Sequence, residues 1–250
     1  MDSDRFLEAC RWAVSDERQT QGIGTLGEKT LHSAVKYYFQ PDPSRQEVRV
    51  GRFVADAITE EGVVEIQTCS LGKLRPKLEY FLTQGNVTVV YPIPAEKTVI
   101  WVNDDGACTS PRKSPLKPTA GYVLPELYWL RDLLTRDGLR LCLLMLRVED
   151  YRLLDGWSRD KKRGSTRFDR MPVALLDQVW LECPEDYARL IPEKVPALFT
   201  SRDLGKAIGC TPKKATLAAN VLRTLGVIYQ EGKQGSAFLY RRAVPQQNFE

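Results

Sequence analysis

The chain has 250 residues, 43% of them apolar, and a formal charge of +4. That is enough apolar material for one large core or two smaller ones, and it excludes a disordered or low-complexity polypeptide. Six cysteines with no CxxC pair exclude a zinc or disulfide framework and point to free thiols in a reducing cytoplasm.

In chain order, Asp4 to Asp16 reads as a short amphipathic helix with Phe6, Leu7, Trp12 and Ala13 inward. The acidic, polar start Met1-Asp2-Ser3-Asp4 is no signal peptide. No apolar run reaches the ~18 residues of a membrane span, so no membrane partner is expected. Leu26 to Phe39 forms a second helix, ended before Pro41. On it Glu28, His32 and Lys36 lie four apart and share a face, either as a solvated stripe or facing neighbouring strand carboxylates.

Three strands follow: Glu47 to Val50, Phe53 to Thr59 after the Gly51-Arg52 turn, and Val63 to Thr68. If Glu60-Glu61 is a two-residue loop, Asp56 lies directly opposite Glu65, and Gln67 shares the face of Glu65. Like charges there destabilise a sheet, and a cation would remove that penalty. A three-residue loop ending at Gly62 would shift the register by one and separate the faces. Acidic residues are common at sheet edges, but Val54, Ala55, Ala57, Ile58, Val63, Val64 and Ile66 describe a sheet centre. A charge there is costly unless it is paired or bound to metal.

Ser70 is placed to cap a helix from Leu71 to about Thr83, which carries Lys73 and Lys77. Asn86 to Tyr91 is a buried strand. Lys97 to Val102 and Ala107 to Ser110 read as a hairpin, Leu124 to Arg136 as a helix, and Leu139 to Val148 as an apolar strand. Arg159 to Arg170 carries six basic and two acidic residues. It is either a solvated loop or, through Lys161, Lys162 and Arg163, a grip on phosphates.

Pro192 to Tyr240 reads as a winged helix. Ser201 caps one helix, Thr211 caps a second with Pro212 in first position, and a hairpin runs from Val227 to Arg241. Leu217, Val221, Leu222 and Leu225 are its inward residues. Lys213 and Lys214 open the second helix and Lys233 sits on the wing, where they would meet duplex DNA. The expected division is a core over 1–155, a basic loop and helical linker over 156–191, and the winged helix over 192–250.

From Leu26 to Tyr91 the order of elements and acids resembles the PD-(D/E)XK nuclease superfamily. The chain is also similar to bacterial proteins that join such a core to a C-terminal winged helix. The resemblance implies an α/β fold with a mixed central sheet flanked by helices, restriction-endonuclease-like. Gly27-Glu28 matches the first-helix glutamate of resolvase-type members, Asp56 the second-strand aspartate and Glu65 the third-strand acid. Gln67 stands where lysine is usual, and Lys77, or Lys73 one turn earlier, would take that role.

The implied activity is hydrolysis of DNA phosphodiesters with Mg²⁺ or Mn²⁺ on Asp56 and Glu65, helped by Glu28. Gln67 would orient water or phosphate, and Lys77 would offset transition-state charge. His32 is the sole histidine, which excludes mechanisms that need two. No G-x-S-x-G, H-E-x-x-H or P-loop motif is present. Two other readings stay open: a non-catalytic DNA-binding or regulatory protein on a degenerate nuclease fold, and an assembly module of a larger complex. Whether two subunits pair as a homodimer to cut both strands is also left open.

Overall fold

In the computed structural model, which describes residues 2–15, 30–103, 107–153 and 166–243, the apolar runs become a seven-stranded sheet. Its strands are β1 (Gln46–Val50), β2 (Phe53–Thr59), β3 (Gly62–Ile66), β4 (Val87–Val102), β5 (Arg112–Lys113), β6 (Leu139–Leu153) and β7 (Thr166–Leu181). The order is β1-β2-β3-β4-β6-β7, with β5 paired to β4. β1 and β2 are antiparallel, with Arg49 opposite Val54, whereas β3 and β4 are parallel, with Glu65 opposite Val89. The sheet is therefore mixed and the class is α/β.

Glycine sets the first turn of the third strand. Gly62 has φ +126, and a Cβ there would strike the Asn86 carbonyl, which accepts the Val63 amide at 2.9 Å. The turn residues between β2 and β3 are Glu60 and Glu61, as the two-residue reading requires. A parallel pair needs a crossover, and residues between β3 and β4 supply it with a 3-10 turn (Leu71–Leu74) running into a helix (Arg75–Phe81).

The chain divides into two compact units, neither of them continuous in sequence. One takes Met1–Glu60, Pro94–Lys117 and Leu144–Gln178; the other takes Glu61–Ile93, Pro118–Leu143 and Val179–Glu250. This differs from three consecutive segments because β4, β6 and β7 each contribute residues to both units.

The first unit packs helix α1 (Ser3–Ala13) on α2 (Thr30–Phe39). Phe6, Ala9 and Ala13 are buried, and Phe6 meets Tyr38 edge to face at 5.4 Å. Leu7, expected inside, is exposed, while Trp12 stacks on Tyr37 at 4.5 Å. Lys97 to Val102 is not a separate strand but the far half of β4; Cys108 returns beside Val102 through an isolated bridge.

β7 is the largest departure from the sequence reading. Residues 166–181, expected as basic loop and linker, are a 16-residue strand. Two of the six basic residues of that segment, Arg167 and Arg170, are strand side chains and meet a buried aspartate on β6. Lys161, Lys162 and Arg163 lie outside the described residues, as does Glu28.

In the second unit α3 (Arg75–Phe81) begins with Pro76 in its first turn. Ser70 does not cap it: its backbone is left-handed, φ 56, and its side chain makes no capping bond. The expected helix from Leu124 to Arg136 is two 3-10 turns, Ala120–Val123 and Glu126–Leu130. Pro125 stands between them without the amide that a continuous helix would need there.

The C-terminal part of this unit has β8 (Leu198–Thr200), α4 (Ser201–Ile208), α5 (Pro212–Thr224), β9 (Ile228–Gln234) and β10 (Ala237–Arg242). The three strands form an antiparallel sheet in the order β8-β10-β9. Thr200, not Ser201, caps α4, in a reciprocal box with Asp203. Thr211 holds the N-cap position of α5 but makes no capping bond. Gly205 lets the two helices close, since a Cβ there would stand 2.7 Å from that of Ala215. Val221, Leu222 and Leu225 are buried as expected; Leu217 is only half-buried, and Ala215, Ala218 and Ala219 complete the inner face. No described helix is long and apolar enough to cross a membrane.

Candidate active site and nucleic-acid-facing residues

Two members of the polar stripe, His32 and Lys36, face carboxylates. Lys36 is 1% exposed and its Nζ lies 2.8 Å from Glu47 Oε1 on β1. One turn earlier, His32 Nε2 lies 3.5 Å from Asp56 Oδ2 on β2. A lysine buried this deeply would cost several kcal/mol, on the order of the desolvation of one ion, without its partner. Glu47 takes a left-handed backbone, φ 51, which costs a non-glycine residue about 1–3 kcal/mol. The pairing of a buried ammonium offsets that strain. Sequence reasoning saw the i,i+4 stripe but missed Glu47, since nothing local to Glu47 announces a partner on α2.

Glu65 is 1% exposed, one residue before the end of β3. Its neighbours Val64 and Ile66 are also buried, so the strand is covered on both faces. The charge is met by Lys77 from α3, whose Nζ lies 3.1 and 2.9 Å from the two carboxylate oxygens. Lys77 rather than Lys73 makes this contact; Lys73 is exposed on the preceding 3-10 turn. The Gln67 amide N–H continues the ladder to the Val90 carbonyl at 2.9 Å, and its side chain donates to the Cys69 carbonyl.

Asp56 thus stands with His32 in the first unit, and Glu65 with Lys77 in the second. Among the described residues no group of three His, Cys, Asp or Glu converges to hold a metal, and Glu28, the expected third acid, is outside them. Asp56 and Glu65 nonetheless offer carboxylate oxygen, the donor hard divalent cations take.

The expected DNA-facing lysines are at the surface. Lys213 and Lys214 are exposed in the first turn of α5, with Lys214 Nζ 3.4 Å from Glu126. Lys233 on β9 lies over the Phe238 ring, 5.3 Å from its centroid. Arg241 is paired with Glu231 at 2.8 Å, and Arg242 donates to the Pro192 carbonyl at 2.8 Å, so both brace the hairpin.

The chain belongs to the family described as Domain of unknown function (DUF8091), which matches residues 29–182. That span holds Asp56, Glu65 and Lys77 and ends just past β7. An uncharacterized protein of Treponema pallidum (strain Nichols) is 30% identical over 230 residues, 90% of either chain. No solved structure matches.

Proposed function

We propose that the protein is a metal-dependent nuclease on a restriction-endonuclease-like core, with a C-terminal winged helix for DNA. The observation that carries this reading is Glu65: a buried carboxylate near the C-terminal end of a parallel strand, held by Lys77 from the following helix. Ligands of α/β sheets gather at such strand ends. The acid–lysine pair supplies the two charges that phosphodiester hydrolysis needs.

The acids suit Mg²⁺ or Mn²⁺, whose sites use one or two protein carboxylates with water and substrate phosphate completing the shell. Asp56 and Glu65 would hold the ion, with Glu28 as a third acid. Bound there, it supplies an acidified water and charge compensation at the phosphate. Lys77, drawn off Glu65, carries positive charge to the developing oxyanion. Gln67 cannot take a proton near neutral pH and acts by hydrogen bonding to water or phosphate. His32 holds Asp56 in place.

Two helices, the hairpin β9–β10 and the short β8 support the winged-helix reading, with Lys213, Lys214 and Lys233 toward duplex DNA. Cutting both strands calls for two copies of the site, so a homodimer belongs to this proposal. The cytoplasm is its setting, since all six thiols are free.

The test is cleavage of plasmid and branched DNA with Mg²⁺ or Mn²⁺ by the wild type, Asp56→Ala, Glu65→Ala and Lys77→Ala. Metal-dependent cutting lost in all three variants supports the reading; an inert wild type sinks it. Two observations favour a second reading, a non-catalytic DNA-binding protein on a degenerate nuclease fold. Lys77 already neutralises Glu65, and the Gln67 amide is engaged by the Cys69 carbonyl. DNA binding that is indifferent to both metal and the Asp56 and Glu65 variants would select it.

A further inference from the structure

Asp150 on β6 is fully buried, and three arginines converge on it. Arg152 reaches one oxygen at 2.9 Å, while Arg170 and Arg167 reach the other at 3.0 and 3.1 Å. Lys97 on β4 stands in the same field. Burial pushes its pKa down, Asp150 pulls it up, and Arg170, Arg152 and Arg167 press it down again. Even without Arg167, Arg152, Arg170 and Lys97 bring three positive charges to one carboxylate. Partly buried cations in excess are costly, and an anion that completes their neutralisation removes the cost.

The charge continues beyond this cluster. Lys97 also lines a cavity of about 450 Å³ with Glu96, Lys113, Ser114, Lys117 and Arg147. Its one carboxylate, Glu96, bonds Arg147 at 2.7 Å. Lys113 and Lys117 are exposed at its rim. Two groups of cations therefore share Lys97, which joins them into one positive tract. Trp101 flanks it, with the Arg152 guanidinium 5.9 Å from its ring centroid.

We infer that this tract, from Arg152, Arg167 and Arg170 through Lys97 to Lys113 and Lys117, binds the phosphodiester backbone of a nucleic acid. Asp150 orients the guanidiniums, whose planar forks match phosphate oxygens. The inference rests on the nucleic-acid part of the proposed function and not on cleavage.

The test is fluorescence anisotropy with labelled single- and double-stranded oligonucleotides in EDTA, where metal-dependent cutting cannot contribute. Arg167→Ala/Lys113→Ala/Lys117→Ala should bind at least about tenfold more weakly at moderate salt, and its slope of log affinity against log salt should fall by about 2–3. Lys213→Ala/Lys214→Ala, in the other unit, should not remove that difference. Unchanged affinity and slope in the triple variant overturn the inference. So does full displacement of the oligonucleotide by millimolar inorganic phosphate, which would make the tract a site for a small anion. Should the triple variant fail to fold, Lys113→Glu/Lys117→Glu repeats the test at two exposed positions, and unchanged binding there overturns it. Binding without any cleavage leaves the tract standing and removes the nuclease; cleavage with an idle tract does the reverse.

Discussion

Replacing Lys77 by Met keeps most of the side-chain stem and removes the charge that meets Glu65. The carboxylate it leaves is 1% exposed, while Lys77 itself is 28% exposed. Breaking a buried pair by deleting one partner costs about 3–5 kcal/mol. The partial exposure of Lys77 screens the attraction, so the expected loss is about 2–3 kcal/mol at neutral pH. At about 2–4 °C per kcal/mol for a chain of this size, the melting temperature should fall by about 5–10 °C. Glu65→Gln/Lys77→Met should recover most of the loss, because a carboxamide needs no countercharge. Thermal melts by circular dichroism at neutral pH should show this loss and its recovery. A Lys77→Met variant within about 0.5 kcal/mol of wild type refutes the reasoning, as does a double variant no better than the single one.

Asp150→Asn should destabilise at neutral pH by about 3 kcal/mol, since three guanidiniums lose their common anion. In the wild type burial opposes the Asp150 charge, but Arg170, Arg152 and Arg167 outweigh it and hold the carboxyl below its ordinary range. Its stabilisation is present above the unfolded pKa and lost as pH falls through the folded one, so acid melts of wild type should decline steeply where those of Asp150→Asn stay flatter. Thr200→Ala removes the hydroxyl that accepts the Asp203 amide, and urea unfolding should register about 1 kcal/mol. Gly205→Val drives a side chain into Ala215, an overpacking cost of about 1–3 kcal/mol readable by the same assay, whereas Gly232→Ala, with open space around it, should be near neutral.

Short-range features were the legible ones. β2 was read at its observed bounds because Gly51 and Gly62, both at positive φ, punctuate it on either side. Lys77 was singled out by what the resemblance implied, and it lies on the helix after β3 where the sequence placed it. Long-range partners were hidden. Lys36 lies on α2 and Glu47 in β1, and no local rule couples them. β7 was hidden for another reason: its charges mimic a solvated loop, and the aspartate that collects them, Asp150, is 20 residues away from Arg170. Pro125 is a breaker at the start of the expected helix from Leu124 to Arg136, and the chain makes two short turns there instead of one helix.

The interleaving of the two units sets a clock on biosynthesis. The chain changes unit five times, and the first unit is incomplete until Gln178 has been made. At ~5–20 residues per second, that stretch takes about 9–36 s to leave the ribosome. From Thr59 to Gln178, about 6–24 s of that time, β1 and β2 exist without the last strand segment of their own unit. A nascent chain with open strand edges is a template for unwanted pairing, so this protein depends on whatever shields it between the first strand and the last.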